Sequence, residues 1–362
     1  MRLTRLILQH KAGVDDLSGY PNWRIGLSSA ASWSWGVSIA VGMAIMRTMG
    51  LLPFFVWTFG NILSIPLFGF VRRYLPFSKH WTRFTILFLL FLFVEFFAVT
   101  LNLQAIRAAL GGGIDISSFA FMREDIIIPL VLALGLAIAL FINRYGLKGS
   151  VFTDIGQYSI QLLGVVALAI ASFFLGSRAE LPWITTDGRE WVLLAFLGII
   201  TGALGTGHQW QRFSNVDDKN AFRVGLWGGF FFGVYMLFVF LSGLYFTQQI
   251  VLGGIFLVIV LSVATSTIDS AVAGLQFIAM RFRLDPRIGT AVAVVAIVIW
   301  PFQADLGLTS LWTILAQVRY PTVLVAIVLT IMVHLSKSLR SERIRSLLVK
   351  YKLVFKHEQL GN

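Results

Sequence analysis

The sequence predicts an all-α transmembrane protein of ten helices. They form two five-helix halves of opposite orientation, with the first and sixth helices interrupted and both termini cytoplasmic. Three observations predict this. Of the 362 residues, 13% are charged and 57% hydrophobic, where a soluble domain carries roughly 25% charged residues, and the mean hydropathy is +0.81. The apolar residues run continuously over membrane-spanning lengths, without the alternation of a β-barrel. The basic residues collect on one side when these runs are threaded back and forth.

Taken in order, the spans are 28–46, 51–71, 84–106, 125–143, 152–176, 190–208, 223–247, 251–281, 287–303 and 309–335. The first follows a polar segment, 1–27, that has no signal-peptide pattern, and it is dense in Ser and Gly ("GLSSAASWSWGVSIAVG"). The third is apolar all round except for Glu95 near its middle and Asn102 seven positions later on the same face. The fourth and fifth flank the polar stretch "NRYGLKGS". A short external loop, 177–189, separates the first half (28–176) from the second (190–335). The sixth span ends in "LGIITGALGTG", again rich in small residues, with His208 at its inner end, where a hydrogen-bonded interfacial histidine is expected and a proton-coupling one is the alternative. The eighth contains "SVATSTIDSAVAG", the ninth is short, and the tenth is interrupted by Gln317 and Arg319. The segment 336–362 is a basic tail suited to lie on the inner membrane surface.

Threading these spans puts Arg2, Arg5, Lys11, Arg24, Arg72, Arg73, Lys79, Arg83, Arg144, Lys148, Arg212, Lys219, Arg223, Arg281, Arg283, Arg287 and the tail on one side. The other side holds Arg47, Arg107, Arg123, Arg178 and Arg189. The positive-inside rule makes the first side cytoplasmic, in a plasma (inner) membrane. The formal net charge of +12 is thereby read as bases facing anionic lipid, and a nucleic-acid partner is not implied. Cysteine is absent, which excludes disulfides, thiolate metal sites and cysteine nucleophiles.

An odd number of helices per half forces the two halves to be inverted, and the interrupted helices of such repeats line the substrate path of secondary transporters. Small residues in the first and sixth spans serve close helix packing equally well. The eighth span is more telling. Ser262, Ser266, Asp269 and Ala273 share one face, and Ser266 falls near the bilayer midplane at 1.5 Å per residue. Hydroxyls and a carboxylate at that depth normally face a cavity or a partner helix, and oxygen ligands suit a small hard cation. Local bonds to the i−4 carbonyls are the alternative use of such hydroxyls. Buried Glu95, Asn102 and Gln317, with Ser34 and Ser38 of the first span, are candidates for binding a small polar solute.

"SVATSTIDSAVAG" resembles the eighth core helix of the sodium/solute symporter family. "GLKGSVFTDIGQYSIQLLG" (146–164) resembles its glycine-rich entry into the fifth core helix, and "GHQWQRFSNVDDKNAFRVG" (207–225) its Gln-Arg-aromatic exit from the sixth. "SAASWSWGVSIAVG" (29–42) is a looser match to the first core helix. The resemblance spans about 28 to 335 and implies a LeuT-like inverted-repeat fold shortened to its ten-helix core. It implies a sodium site formed by hydroxyls of Ser266 and Thr267 and by carbonyls of Val263, Ala30 and Trp33. Asp154 matches the family's acidic residue on the fifth helix and, with Asp269, would support that site. Na+ is then the coupling ion and no other cofactor is expected.

The expected function is sodium-coupled symport of a small polar solute by alternating access. Because Asp269 and Glu95 are titratable, a proton is the alternative coupling ion. A non-transporting ion sensor or scaffold of the same fold is the other alternative. An enzyme is disfavoured: neither Gly-x-Ser-x-Gly nor His-Glu-x-x-His occurs, and Asp217-Asp218 lacks a second acidic motif to share a magnesium ion.

Overall fold

A computed structural model describes residues 17, 19–36, 38–72, 85–111, 120–189, 192, 200, 202–214, 216–247 and 249–303. Among them the secondary structure is wholly helical. The elements are α1 (Asn22–Trp33), α2 (Ser38–Thr48), α3 (Leu51–Val71), α4 (Thr85–Gly111) and α5 (Glu124–Leu175). After a 3-10 turn at Gly202–Gly205 come α6 (Gly207–Phe213), α7 (Asp218–Tyr245), α8 (Ile250–Arg281) and α9 (Pro286–Ile299), which runs into a second 3-10 turn, Trp300–Gln303. Among the described residues six helices are long and apolar enough to cross a membrane, or seven when α1 and α2 count as one bent span. The tenth span, 309–335, and the tail lie outside the described residues.

Polarity is inverted relative to a soluble protein. Phe152, Leu163 and Phe174 are at least 70% exposed, whereas Glu95, Asp154, Arg212 and Asp269 are 3% exposed or less. A greasy perimeter around a polar interior satisfies lipid outside and pairs polar groups inside. The chain is a multi-pass membrane protein.

Helix ends follow their local sequence. α9 starts at an Asp-Pro step: Asp285 accepts the backbone N–H of Arg287 at 2.8 Å, and Pro286 at the first helical position needs no partner. α3 starts at Gly50, whose φ of 110° turns the chain sharply out of α2. Its first free N–H groups, on Leu51 and Leu52, are taken by the carbonyls of Pro182 and Trp183 at 3.0 and 2.9 Å. The loop that the sequence places outside thus closes the outer end of α3.

The stretches 125–143 and 152–176 are two helical arms of α5, and the break between them is a sharp corner at the non-helical Gly146 rather than an extended polar loop. With φ 58° and ψ −148°, Gly146 occupies backbone space that a Cβ closes off. At 1.5 Å per residue the arms on either side of the corner are about 33 and 44 Å long, each enough for one crossing of a roughly 30 Å hydrocarbon core. The sixth span ends at Phe213, five residues beyond the expected limit, because helix resumes after the extended Thr206.

α8 occupies the centre, packed by α5, α4, α9, α6 and α1. α7 lies against α3 and α1. Gly225 and Gly229, one turn apart on α7, allow the contact with α3: a Cβ would stand 2.8 Å from the Ile65 carbonyl oxygen at the first and 2.6 Å from that of Ile62 at the second.

Candidate functional site

The expected interruption of the first span is present. α1 stops at Trp33, α2 begins at Ser38, and their axes differ by 60°. The local sequence makes the break self-terminating: the backbone N–H and the hydroxyl of Ser34 both turn back to the Ala30 carbonyl, at 2.9 and 3.0 Å. The backbone group freed at Gly36 donates to Asn102 Oδ1 at 2.7 Å, while Asn102 Nδ2 is anchored on the Ala98 carbonyl of its own helix, α4. A Cβ on Gly36 would lie 2.7 Å from the Ala264 side chain, so the break is pressed onto α8. There Thr267 Oγ1 donates to Val263 O at 3.1 Å and stands 3.4 Å from Ser34 O. Trp33 packs over Gly202, bringing the break of the first span against the 3-10 turn of the sixth.

Alongside this contact, α5 and α8 form a polar seam. Ser262 donates to Gln157 O at 3.0 Å and Ser266 to Asp154 Oδ1 at 2.7 Å. Asp269 accepts from Ser150 at 2.9 Å, Thr153 at 2.7 Å and Ser270 at 3.1 Å. The partners on α5, at 150, 153, 154 and 157, and those on α8, at 262, 266, 269 and 270, each recur at one-turn spacing, so two stripes zip together.

Arg212 of α6 enters this seam. Its Nε donates to Ser28 Oγ at 2.8 Å. Nη2 donates to Asp154 Oδ2 at 2.7 Å, Ser270 Oγ at 2.6 Å and Ser150 Oγ at 3.2 Å, and Nη1 donates to His208 O at 3.2 Å. Ser28 also donates to Asp154. A guanidinium stays charged in proteins, and this one ties α1, α5 and α8 to α6. The hydroxyls of Ser150 and Ser270 accept from it and donate onward to Asp269. One fixed positive charge therefore serves two carboxylates, and with both ionised the seam keeps one negative charge to be neutralised.

A second buried pair lies on the other side of α6. Glu95 Oε2 is 2.9 Å from His208 Nδ1, and neither side chain is exposed. The hydrogen bonding expected of His208 is present and its partner is a buried carboxylate; the helix continues past His208, and α4 and α8 enclose it. The neighbouring Gln209 grips α1, accepting from Ser29 Oγ and donating to Ser29 O and Ser32 Oγ, both at 3.2 Å.

Of the residues singled out by sequence, Ser34, Val263, Ser266, Thr267, Asp154 and Asp269 fall along one continuous contact of α1, α5 and α8. The Ala30 carbonyl is engaged by Ser34, and that of Trp33 by the N–H of Trp35 at 3.0 Å. The carbonyl that Thr267 meets is that of Ser34. The Ser34 hydroxyl faces Ala30, and Ser38 is buried at the start of α2. Glu95 and Asn102 share a face of α4 but serve different partners, His208 and the break. Gln317, like Arg319, lies outside the described residues. Sequence reasoning missed Ser28, Ser150 and Arg212. Arg212 was counted among the cytoplasmic bases because its apolar run has already ended; the one hint was the Gln-Arg-aromatic string it belongs to.

No family model and no curated protein matches the chain. Its fold is similar to that of a Na+-coupled sialic acid symporter in a substrate-bound outward-open state, with TM-score 0.59 and 15% identity over 90% of this chain and 84% of that one. It is also similar to that of a manganese transporter of Eremococcus coleocola, with TM-score 0.51 and 13% identity over 84% of this chain and 76% of that one. The chain has the helical fold of these membrane transporters.

Proposed function

We propose that the chain is a sodium-coupled secondary transporter carrying a small polar solute by alternating access, built on a ten-helix inverted repeat with cytoplasmic termini. The observation that carries this reading is the meeting of the α1 break with the hydroxyl face of α8, where Thr267 reaches the Ser34 carbonyl. Carbonyl, hydroxyl and carboxylate oxygens are the donors a hard cation takes. With both carboxylates ionised, the Asp154–Asp269–Arg212 seam carries one net negative charge, and a cation beside it would neutralise it. Similarity to a fold that couples Na+ to solute movement supports the same reading.

The geometry suggests how an ion acts. Gln209 and Arg212 fasten α6 to α1, so the two interrupted segments move together. An ion held between α1 and α8 bridges that unit to the central helix. It therefore stabilises the conformation in which the two are apposed and shifts the population toward it. A solute bound near the breaks then experiences a different equilibrium with the ion present than without it.

Proteoliposomes containing the full chain are assayed for uptake of a panel of small sugars, amino acids and carboxylates with an inward sodium gradient. At least one solute accumulates, and Ser266→Ala or Thr267→Ala lowers its sodium-dependent rate about tenfold, as expected for losing roughly 1.4 kcal/mol of ion binding. Unchanged sodium dependence in both variants removes the site.

A further inference from the structure

The Glu95–His208 pair has no part in the sodium site just described, yet both of its side chains are fully buried. Glu95 stands in the middle of α4 and His208 in the first turn of α6. Nδ1 lies 3.0 Å from Oε1 and 2.9 Å from Oε2, and Oε1 also accepts the His208 backbone N–H at 3.0 Å. The other ring nitrogen, Nε2, is buried with no hydrogen-bond partner among the described residues. Gly274 of α8 closes the pair in: a Cβ there would lie 2.9 Å from His208 N and 3.2 Å from the Glu95 carboxyl carbon.

Counting hydrogens shows what this arrangement can hold. The Nδ1–carboxylate contact requires a hydrogen between its atoms, because the tautomer with a bare Nδ1 sets lone pairs face to face. With that hydrogen alone, Nε2 is bare and the pair is an anion. With one more proton the pair is neutral, either as imidazolium beside carboxylate or as imidazole beside carboxylic acid. In the imidazolium form, and in the acid form whose hydrogen points at Nδ1, the added hydrogen resides on Nε2.

Among the described residues neither state is fully accommodated. The anion has no counter-charge among them: the one charged group facing it from α6 is Arg212, which donates to the His208 carbonyl but spends its other donors on Asp154, Ser28, Ser150 and Ser270. α8 presents Gly274 and, beside Gly207, Ile278, neither of them titratable. The neutral pair leaves an N–H without an acceptor. Each protonation state therefore favours a different arrangement around His208.

We propose that the Glu95–His208 pair is a proton-binding site, separate from the sodium site, that loads its second proton on Nε2 as the surroundings of α6 rearrange. This rests on the reading of the chain as a cation-coupled transporter. The pair is placed to report to the pathway, since α4 carries Glu95 toward α6 and Asn102 toward the α1 break on one face.

The test is solid-state NMR of the full-length protein in liposomes with nitrogen-15-labelled histidine, the His208 signals being assigned by their loss in His208→Asn. Across the pH range in which the protein stays folded, Nε2 passes from bare to protonated while Nδ1 keeps its hydrogen bond. Glu95→Gln, which cannot form the anionic partner, displaces that transition by about tenfold or more in proton concentration. An Nε2 in one state throughout the range in the wild type overturns the proposal, as does a transition unmoved by Glu95→Gln. Sodium-dependent thermal stabilisation of the same preparation reads the sodium site by itself: its absence alongside an intact Nε2 transition sinks the sodium reading and leaves the proton site standing.

Discussion

Replacing Arg212 by Met removes the single positive charge of the α5–α8 seam while keeping an unbranched side chain of similar length. Asp154 then keeps only the hydroxyls of Ser28 and Ser266, and Asp269 loses the guanidinium relayed through Ser150 and Ser270. Breaking one partner of a buried ion pair typically removes 3–5 kcal/mol, about 4 here because both partners are fully buried. At roughly 2 °C per kcal/mol for a chain of this size, the unfolding midpoint falls by about 8 °C. The assay is thermal unfolding in detergent followed by the fluorescence of the 11 tryptophans, at matched heating rates because such unfolding is commonly irreversible. Arg212→Met/Asp154→Asn removes the guanidinium together with the carboxylate it contacts directly and recovers at least about half of the loss, since only Asp269, still hydrogen-bonded by Ser150, Thr153 and Ser270, is left without the counter-ion. A single variant within about 2 °C of wild type, or a double variant as unstable as the two losses added, refutes the view that this guanidinium is a structural counter-ion.

Asn102→Ala leaves the Gly36 N–H without its acceptor and is expected to lose about 1–3 kcal/mol, together with part of the sodium-dependent stabilisation; unaltered values of both mean that the α1 break is not held from α4. Gly146→Ala, forced into φ 58°, is expected to lose about 1–3 kcal/mol in the same unfolding assay, whereas Gly156→Ala on an open stretch of the same helix is neutral or stabilising. Gly229→Val drives a side chain into the Ile62 carbonyl and is expected to lower stability by about 1–3 kcal/mol or more, which a normal melting curve contradicts.

How much of this was legible in the sequence depended on whether a signal was periodic or relational. Continuous apolar runs fixed the second, seventh and eighth spans to within a few residues at most ends, because lipid demands the same property of every outward position. The break in the first span was legible from Ser34 and Gly36, whose chemistry disrupts helix locally. That the fourth and fifth spans are separate helices was legible in the same way, from the glycines between them; that the break narrows to a corner at Gly146 was not, because a short polar stretch with a glycine reads equally as a loop. The burial of Arg212 and His208 was not legible either. Each sits where an apolar run has already ended, so hydropathy assigns them to the surface. Their burial comes from helices distant in sequence, α4, α5 and α8, folding over the resumed sixth span.

The interior polar groups also divide the molecule by what they connect. Asp154, Asp269 and Arg212 join α5, α8, α6 and α1, whereas Glu95, His208 and Asn102 join α4 to α6 and to the break. α6 belongs to both sets, with Arg212 and His208 one turn apart on it and Arg212 donating to the His208 carbonyl. A helix of seven residues has too little backbone hydrogen bonding of its own to hold a position in the bilayer interior. Its placement is decided by these charged and hydroxyl contacts. Any change in their charge therefore acts directly on the placement of this segment.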